Sequence, residues 1–234
     1  MAKLSVIIPA AGSGERMGSK LPKPFIKIHE KPILFHTISK FLEISDVMQI
    51  IIAVSPENIS KVKAIISTFD KKEVFFEVSK GGEERQLSVF KALDKVSEEA
   101  ELVAVHDAVR PFVSPKHIKD CIKVAKKEGG AVLGVPSRDT IKNIDTNNFI
   151  TSTPDRSKFW LAQTPQIFRK TILMEAYRTA FSTDYIGTDD ASLVERIDKK
   201  VRMVRGSHDN LKITFPEDLL IAQSILNNKD DSNE

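Results

Sequence analysis

Arg16 and Lys23 sit in a run of small residues and glycines: Pro9-Ala10-Ala11-Gly12-Ser13-Gly14-Glu15-Arg16-Met17-Gly18, continuing to Pro22-Lys23-Pro24-Phe25. The run begins where an apolar segment of strand length, Leu4–Ile8, ends. Small side chains let the backbone come close to a ligand and turn its N–H groups toward anionic oxygens. A guanidinium and an ammonium in the same loop suit a triphosphate, which offers anionic oxygens along its length. Two other glycine loops fit poorly. The spacing is G-x-G-x-x-x-G, not the G-x-G-x-x-G of a dinucleotide fingerprint, and no Gly-Lys-Ser/Thr tripeptide makes a Walker loop. A dehydrogenase is therefore not expected.

Other polar residues also follow strand-like runs. Gly81-Gly82 comes after a third strand, with Arg85 and Ser88 in the next helix's first turns. These residues fit a ligand's edge and a plain helix start equally well. In His106-Asp107-Ala108-Val109-Arg110, Asp107 can meet a ribose hydroxyl or a metal-bound water, and Arg110 can neutralise a substrate phosphate. The two could instead simply pair, but ionic groups at the C-terminal end of a parallel strand favour a binding role. His106 reads as a buried, hydrogen-bonded histidine. Arg138, Thr140 and Arg156 read, by themselves, as an exposed polar ribbon, and Lys212 as a solvated lysine on a short strand.

The elements that must position these groups follow an α/β rhythm. Strands are expected at Leu4–Ile8, Met48–Val54, Val74–Val78, Leu102–Val105 and Ala131–Val135. Between them, helical spacing covers Ile33–Glu43, Pro56–Phe69, Glu84–Val96 and Pro115–Glu128. Unbroken Val/Ile/Leu runs between helices fit a doubly wound, mostly parallel twisted sheet covered on both faces. The rhythm breaks over 137–160. Thr140–Ile144 and Phe149–Thr153, joined by Thr146-Asn147-Asn148, read as an inserted β-hairpin arm, which is marginal alone in water. Helices return at Thr171–Ser182, Asp190–Arg196 and Pro216–Leu226, with a strand at Val201–Val204. The expectation is one domain over 1–226, an arm over 137–160, and a disordered polar tail over 227–234.

Composition narrows the class. The chain has 234 residues, 41% hydrophobic and 29% charged, and a net charge of +3 from 35 basic and 32 acidic residues. That is globular usage with no general field for nucleic acid or membranes, so local cations are read as a site. Leu4–Ile8 meets Pro9 at once, unlike a signal peptide, and no apolar stretch approaches the roughly 18 residues of a membrane span. Cys121 is the only cysteine, so neither an intrachain disulfide nor a cysteine zinc site is expected, and a reducing, cytoplasmic setting is. In its helical context it reads as a packed thiol.

The glycine loop with Pro22-Lys23 resembles the nucleotidyltransferases that activate sugars and polyols. Further motifs match in order: Gly81-Gly82-Glu83-Glu84-Arg85, Val105-His106-Asp107-Ala108-Val109-Arg110-Pro111, Arg138-Asp139-Thr140, Thr164-Pro165-Gln166, Thr188-Asp189-Asp190 and Asn210-Leu211-Lys212-Ile213-Thr214. Together they are most similar to the 2-C-methyl-D-erythritol 4-phosphate cytidylyltransferases of the non-mevalonate isoprenoid pathway. Ribitol 5-phosphate cytidylyltransferases share much of this set, but Ala10-Ala11-Gly12 and Asp155-Arg156-Ser157…Trp160 look more like the methylerythritol enzymes. A non-catalytic nucleotide-binding protein on the same scaffold is a further alternative, against which Arg16, Lys23 and Lys212 argue. Pro24, Glu30 and Glu83 depart from the family's common Gln, Gly and Asp.

The resemblance implies attack by a polyol phosphate oxygen on the α-phosphorus of CTP, with pyrophosphate leaving and Mg²⁺ bridging the triphosphate. It assigns Ala10, Ala11, Gly12, Gly82, Glu83, Ser88, Asp107 and Ala108 to the nucleotide. It places Arg110, Thr140, Arg156, Thr164, Thr188 and Lys212 at the polyol phosphate, and Arg16, Lys23, Arg156 and Lys212 at the reacting phosphates. It also implies that the arm crosses to a partner subunit in a homodimer, bringing Thr140 and Arg156 into the other site.

Overall fold

Continuous apolar runs form the centre of the molecule, because a strand buried on both faces can carry no polar alternation. The computed structural model describes residues 3–12, 21–70 and 73–230, with side chains through Asn227. Gly14, Arg16 and Gly18 of the expected phosphate loop lie outside the described residues. In chain order the elements are β1 (Leu4–Pro9), β2 (Lys27–Ile28), β3 (Lys31–Pro32), α1 (Ile33–Leu42), β4 (Val47–Val54), α2 (Ile59–Ile66) and β5 (Phe75–Lys80). Then come α3 (Arg85–Leu93), β6 (Leu102–Val105), α4 (Pro115–Glu128), β7 (Gly130–Pro136), β8 (Asn143–Ile144) and β9 (Ile150–Ser152). The last are β10 (Trp160–Arg169), α5 (Lys170–Ser182), α6 (Asp190–Arg196), β11 (Arg202–Arg205) and α7 (Pro216–Asp230).

Seven strands make one sheet in the order β5-β4-β1-β6-β10-β7-β11. Side chains alternate between its faces, as the strand period requires. Val6 and Ile8 pack with Leu34, Ile38 and Phe41 of α1, Val62 of α2 and Ile118 of α4. Ile7 packs on the opposite face with Val89 of α3, Tyr177 of α5 and Val194 of α6. Helix α4 is defined by its ends: Ser114 Oγ accepts from the N–H of His117 at 3.2 Å, and Gly129 closes it at φ 97°. The chain winds outward from β1 through β4 to β5, then returns to place β6 on the other side of β1. The C-terminal ends of β1 and β6 therefore flank a topological switch point, where open α/β sheets bind ligands.

Three features differ from the sequence expectation. The longest strand, β10, pairs antiparallel with both β6 and β7 in the middle of the sheet. Its apolar pattern is interrupted by Gln163-Thr164-Pro165-Gln166, where the register shifts and the Thr164–Pro165 bond is cis. The expected arm ladder is shorter: β8 and β9 pair only around Asn143↔Ser152 and Ile144↔Ile150, and both strands are exposed along their length. The expected tail over 227–234 also begins too early. Helix α7 runs on to Asp230, since extending an existing helix costs far less than starting one.

The β2–β3 turn explains one sequence departure. His29 and Glu30 have φ of 46° and 59°, a left-handed pair that fits a tight hairpin and favours glycine. Glu30 holds that conformation without being glycine. Among the described residues, no helix is long and apolar enough to cross a membrane.

Candidate active site

The strand ends at the switch point open into a cleft of about 390 Å³, within the range of small-molecule sites, roughly 300–1,000 Å³. Its lining joins four chain segments: Ala10, Ala11 and Gly12 after β1; Gly82, Glu83 and Ser88 after β5; Asp107 and Ala108 after β6; and Lys212 to Thr214 ahead of α7. Lys23 closes it from the turn Lys23–Phe25.

Glycine at position 81 lets two of these segments meet. A Cβ there would lie 2.3 Å from Ala11 Cβ and 3.2 Å from Ser88 Oγ. The backbone N–H of Gly81 donates to the carbonyl of Val54 at 2.8 Å, and that of Gly82 to Ser88 Oγ at 2.9 Å. Ser88 thus pins the turn from inside α3.

Asp107 is the electrostatic centre. Arg85 Nε lies 3.5 Å from its Oδ1, while Arg110 Nε at 3.3 Å and Lys212 Nζ at 3.0 Å share Oδ2. Burial alone would push the carboxyl up, but Arg85, Lys212 and Arg110 outweigh it and hold the group well below the usual carboxylate range. The backbone N–H of Asp107 donates to Thr164 Oγ1 at 3.0 Å. Next to it, His106 is fully buried, with Nε2 3.0 Å from the carbonyl of Arg110 and Nδ1 3.1 Å from Thr164 Oγ1. A carbonyl can only accept, so Nε2 carries the proton and Nδ1 accepts from the Thr164 hydroxyl. Burial, with smaller pushes from Arg110 and Arg85, lowers His106 to about 4. It is a neutral structural group, not a general base.

The cations have different anchors. Lys23 is nearly buried and donates to the carbonyl of Thr214 at 2.6 Å. Arg110 donates through Nη1 to the carbonyl of Asn210 at 2.8 Å. Lys212 has the most exposed side chain around Asp107, at 45%, against 33% for Arg85 and 11% for Arg110.

The structure therefore gathers Ala10, Ala11, Gly12, Lys23, Gly82, Glu83, Ser88, Asp107, Ala108 and Lys212 around one cleft. Arg110 and Thr164 stand behind Asp107 rather than on the lining. Thr188 is exposed just before α6, where Asp189 caps the helix. Thr140 and Arg156 are exposed on the arm, with Arg156 Nη1 donating to the carbonyl of Arg138 at 2.8 Å, and no cleft-lining residue comes from 137–160. Arg16 lies outside the described residues. Sequence reasoning did not assign a role to Arg85, which lines the cleft and touches Asp107. A signal was present: a cation in the first turn opposes the helix dipole, so it calls for acidic partners from elsewhere.

The family described as "IspD: 2-C-methyl-D-erythritol 4-phosphate cytidylyltransferase" matches this chain over residues 4–228. The chain belongs to the IspD family. It is 44% identical over 224 residues to the 2-C-methyl-D-erythritol 4-phosphate cytidylyltransferase of Clostridioides difficile (strain 630), covering 95% of this chain and 93% of the relative. Its fold is similar to the crystal structure of 4-diphosphocytidyl-2C-methyl-D-erythritol synthase from Anaerococcus prevotii DSM 20548, with a TM-score of 0.86, 30% identity, and 97% and 99% of the two chains covered. The 2-C-methyl-D-erythritol 4-phosphate cytidylyltransferase of Thermus thermophilus is similar too, at a TM-score of 0.77 and 31% identity over 96% and 98% of the two chains.

A divalent cation is implied by an IspD triphosphate site. Among the described residues no three His, Cys, Asp or Glu side chains gather as a metal cage. Asp107 has both oxygens facing cations, Arg85 on one and Arg110 with Lys212 on the other.

Proposed function

We propose that this cleft seats CTP against the Ala10–Gly12 and Gly82–Ser88 turns, and the acceptor phosphate beside Lys212. As an IspD enzyme the chain converts CTP and 2-C-methyl-D-erythritol 4-phosphate to 4-diphosphocytidyl-2-C-methyl-D-erythritol and pyrophosphate. An acceptor phosphate oxygen bonds to the α-phosphorus, and the bond to the bridging oxygen breaks, with its electron pair leaving on pyrophosphate. The nucleophile needs no strong base, because a phosphate monoester with a second pKa of about 6 is largely dianionic at neutral pH. The task is to overcome repulsion between two polyanions and stabilise charge as it moves onto the leaving group. Lys23, and Arg16 in the same glycine-loop run, serve the triphosphate. Lys212 aligns the acceptor, with Arg110, Thr164 and Thr188 supporting that side.

Mg²⁺, bound by the triphosphate and held by Asp107 through water, would neutralise phosphate charge. Thr140 and Arg156 serve the acceptor in the site of a second copy, with a homodimer as the working unit; their exposure on an arm that does not line its own chain's cleft supports that reading. A reducing, cytoplasmic setting accords with Cys121, a buried free thiol whose pKa burial pushes up to about 12.

The observation that carries this reading is Lys23 and Lys212 lining one cleft with the glycine turns and Asp107. Pyrophosphate release is the test, using CTP and Mg²⁺ with either methylerythritol 4-phosphate or ribitol 5-phosphate. Release is expected with the first acceptor alone. Lys23→Ala should lower kcat by roughly 10²–10³, the usual cost of losing one oxyanion donor. Equal rates with ribitol 5-phosphate, or normal turnover in Lys23→Ala, would reject the assignment.

A further inference from the structure

Arg85 joins the cleft to a buried pair that the reaction itself does not use. Its Nη2 lies 2.7 Å from Asp190 Oδ2, and its Nε faces Asp107. Asp190 is fully buried at the start of α6, and its other oxygen accepts from the Tyr177 hydroxyl at 2.5 Å. Tyr177 belongs to α5 and is 1% exposed. Three helices thus meet at the Asp190 carboxylate. Burial and the Asp190 carboxylate both push the Tyr177 phenol well above its ordinary range, so it remains a donor.

We propose that Tyr177 and Asp190, acting through Arg85, are positioning residues that keep Asp107 neutralised when Lys212 leaves it for the acceptor phosphate. The three cations at Asp107 are not equivalent. Arg85 is fixed by Asp190, and Arg110 is fixed by the Asn210 carbonyl. Lys212 is the most exposed, and its ion pair with Asp107 is the contact that can be exchanged. An incoming dianion competes with Asp107 for that ammonium. The exchange is easiest when two anchored arginines still face the carboxylate afterwards. If Arg85 turns toward Asp190, Asp107 keeps a stronger claim on Lys212 and the acceptor binds more weakly.

Tyr177→Phe removes one hydroxyl and leaves a buried carboxylate oxygen without its donor, which draws the guanidinium toward Asp190. Arg85→Lys keeps the charge but cannot span two carboxylates. Each variant should raise KM for methylerythritol 4-phosphate about tenfold, the equivalent of one such hydrogen bond. KM for CTP should change less than about twofold in Tyr177→Phe, which stands off the cleft lining, while Arg85→Lys, in the turn that seats CTP, should raise the acceptor KM by more than the CTP KM. The double variant should be no worse than the poorer single one, because both act along one path.

The inference rests on Lys212 serving the acceptor phosphate, so Lys212→Gln is measured alongside. An unchanged acceptor KM in Lys212→Gln rejects that reading of the site. A raised acceptor KM in Lys212→Gln, with both KM values normal in Tyr177→Phe and Arg85→Lys, rejects the positioning role alone. A lower melting temperature with unchanged KM values assigns Tyr177 and Asp190 to stability only and overturns the proposal. Should Tyr177→Phe fail to fold, Arg85→Lys decides by the same split between the two substrates.

Discussion

Burial works against the charged form of both Asp107 and His106, and the neighbours decide whether it wins. At Asp107 three cations overcome desolvation and the carboxylate stays charged. At His106 desolvation wins and the ring stays neutral. The unfolded chain protonates this histidine near its ordinary 6.5, whereas the folded one waits until about 4. The folded-state value is depressed, so the resulting stability is fully present above pH 6.5 and is lost as pH falls through 4. The full loss amounts to about 3 kcal/mol. The His106 ring resonances should therefore hold constant in NMR spectra from about pH 8 to about pH 5, and a midpoint near 6.5 would contradict its burial. Turnover at neutral pH should follow the acceptor phosphate's second ionisation near about pH 6, not a histidine. The neutral role of His106 was legible in its neighbours. Lys212 was legible only through the family resemblance: by itself it reads as a solvated lysine on a short strand, and only folding sets it 3.0 Å from Asp107.

Among the elements, the glycine turn after β5 is the clearest case of backbone serving the cleft. Gly81→Ala would place a methyl 2.3 Å from Ala11 Cβ, which is fixed to backbone and cannot swing aside. Either the Ala10–Gly12 segment or the turn at the start of α3 must move. CTP affinity measured calorimetrically should fall at least tenfold, about 1.4 kcal/mol, while the α/β circular dichroism spectrum persists. Native affinity would mean that the two segments need not touch for binding. Four of the five expected parallel strands were readable because both of their faces are buried, and β5, at the sheet edge and largely half-exposed, was readable as a short apolar run between helical patterns. Strand β10 was not, because its middle serves the site. Gln163 reaches the Ser207 carbonyl and Thr164 meets Asp107, while Gln166 bonds Asp189 and the N–H of Ala191. Those polar side chains erase the hydrophobic run that marks a strand, and the proline adds a breaker signal. The arm was legible as a hairpin, but its ladder length was not. Without a core face to fix the register, alternation alone does not say where pairing stops.

At the scale of the whole molecule, the arm is the part with the least reason to exist alone. Ile144, Phe149 and Ile150 are 56%, 71% and 62% exposed. Such apolar side chains gathered on an exposed ribbon mark an interaction surface. If two arms cross, each active site is built from the cleft of one chain and Arg156 of the other. That geometry makes a sharp prediction for mixed dimers. Lys23→Ala disables a cleft, and Arg156→Ala disables an arm. In a heterodimer of the two variants, one site combines the intact cleft with the intact arm, while the other carries both defects. After equimolar chains are dissociated and reassembled at random, half of the dimers are mixed and each has one working site. The mixture should recover about a quarter of the wild-type rate, although each variant alone is nearly inactive. Sedimentation should show dimers throughout, and Phe149→Asp should shift the protein toward monomer and remove the recovery. If the mixture does no better than the average of the two variants while remaining dimeric, Arg156 works within its own chain or not at all.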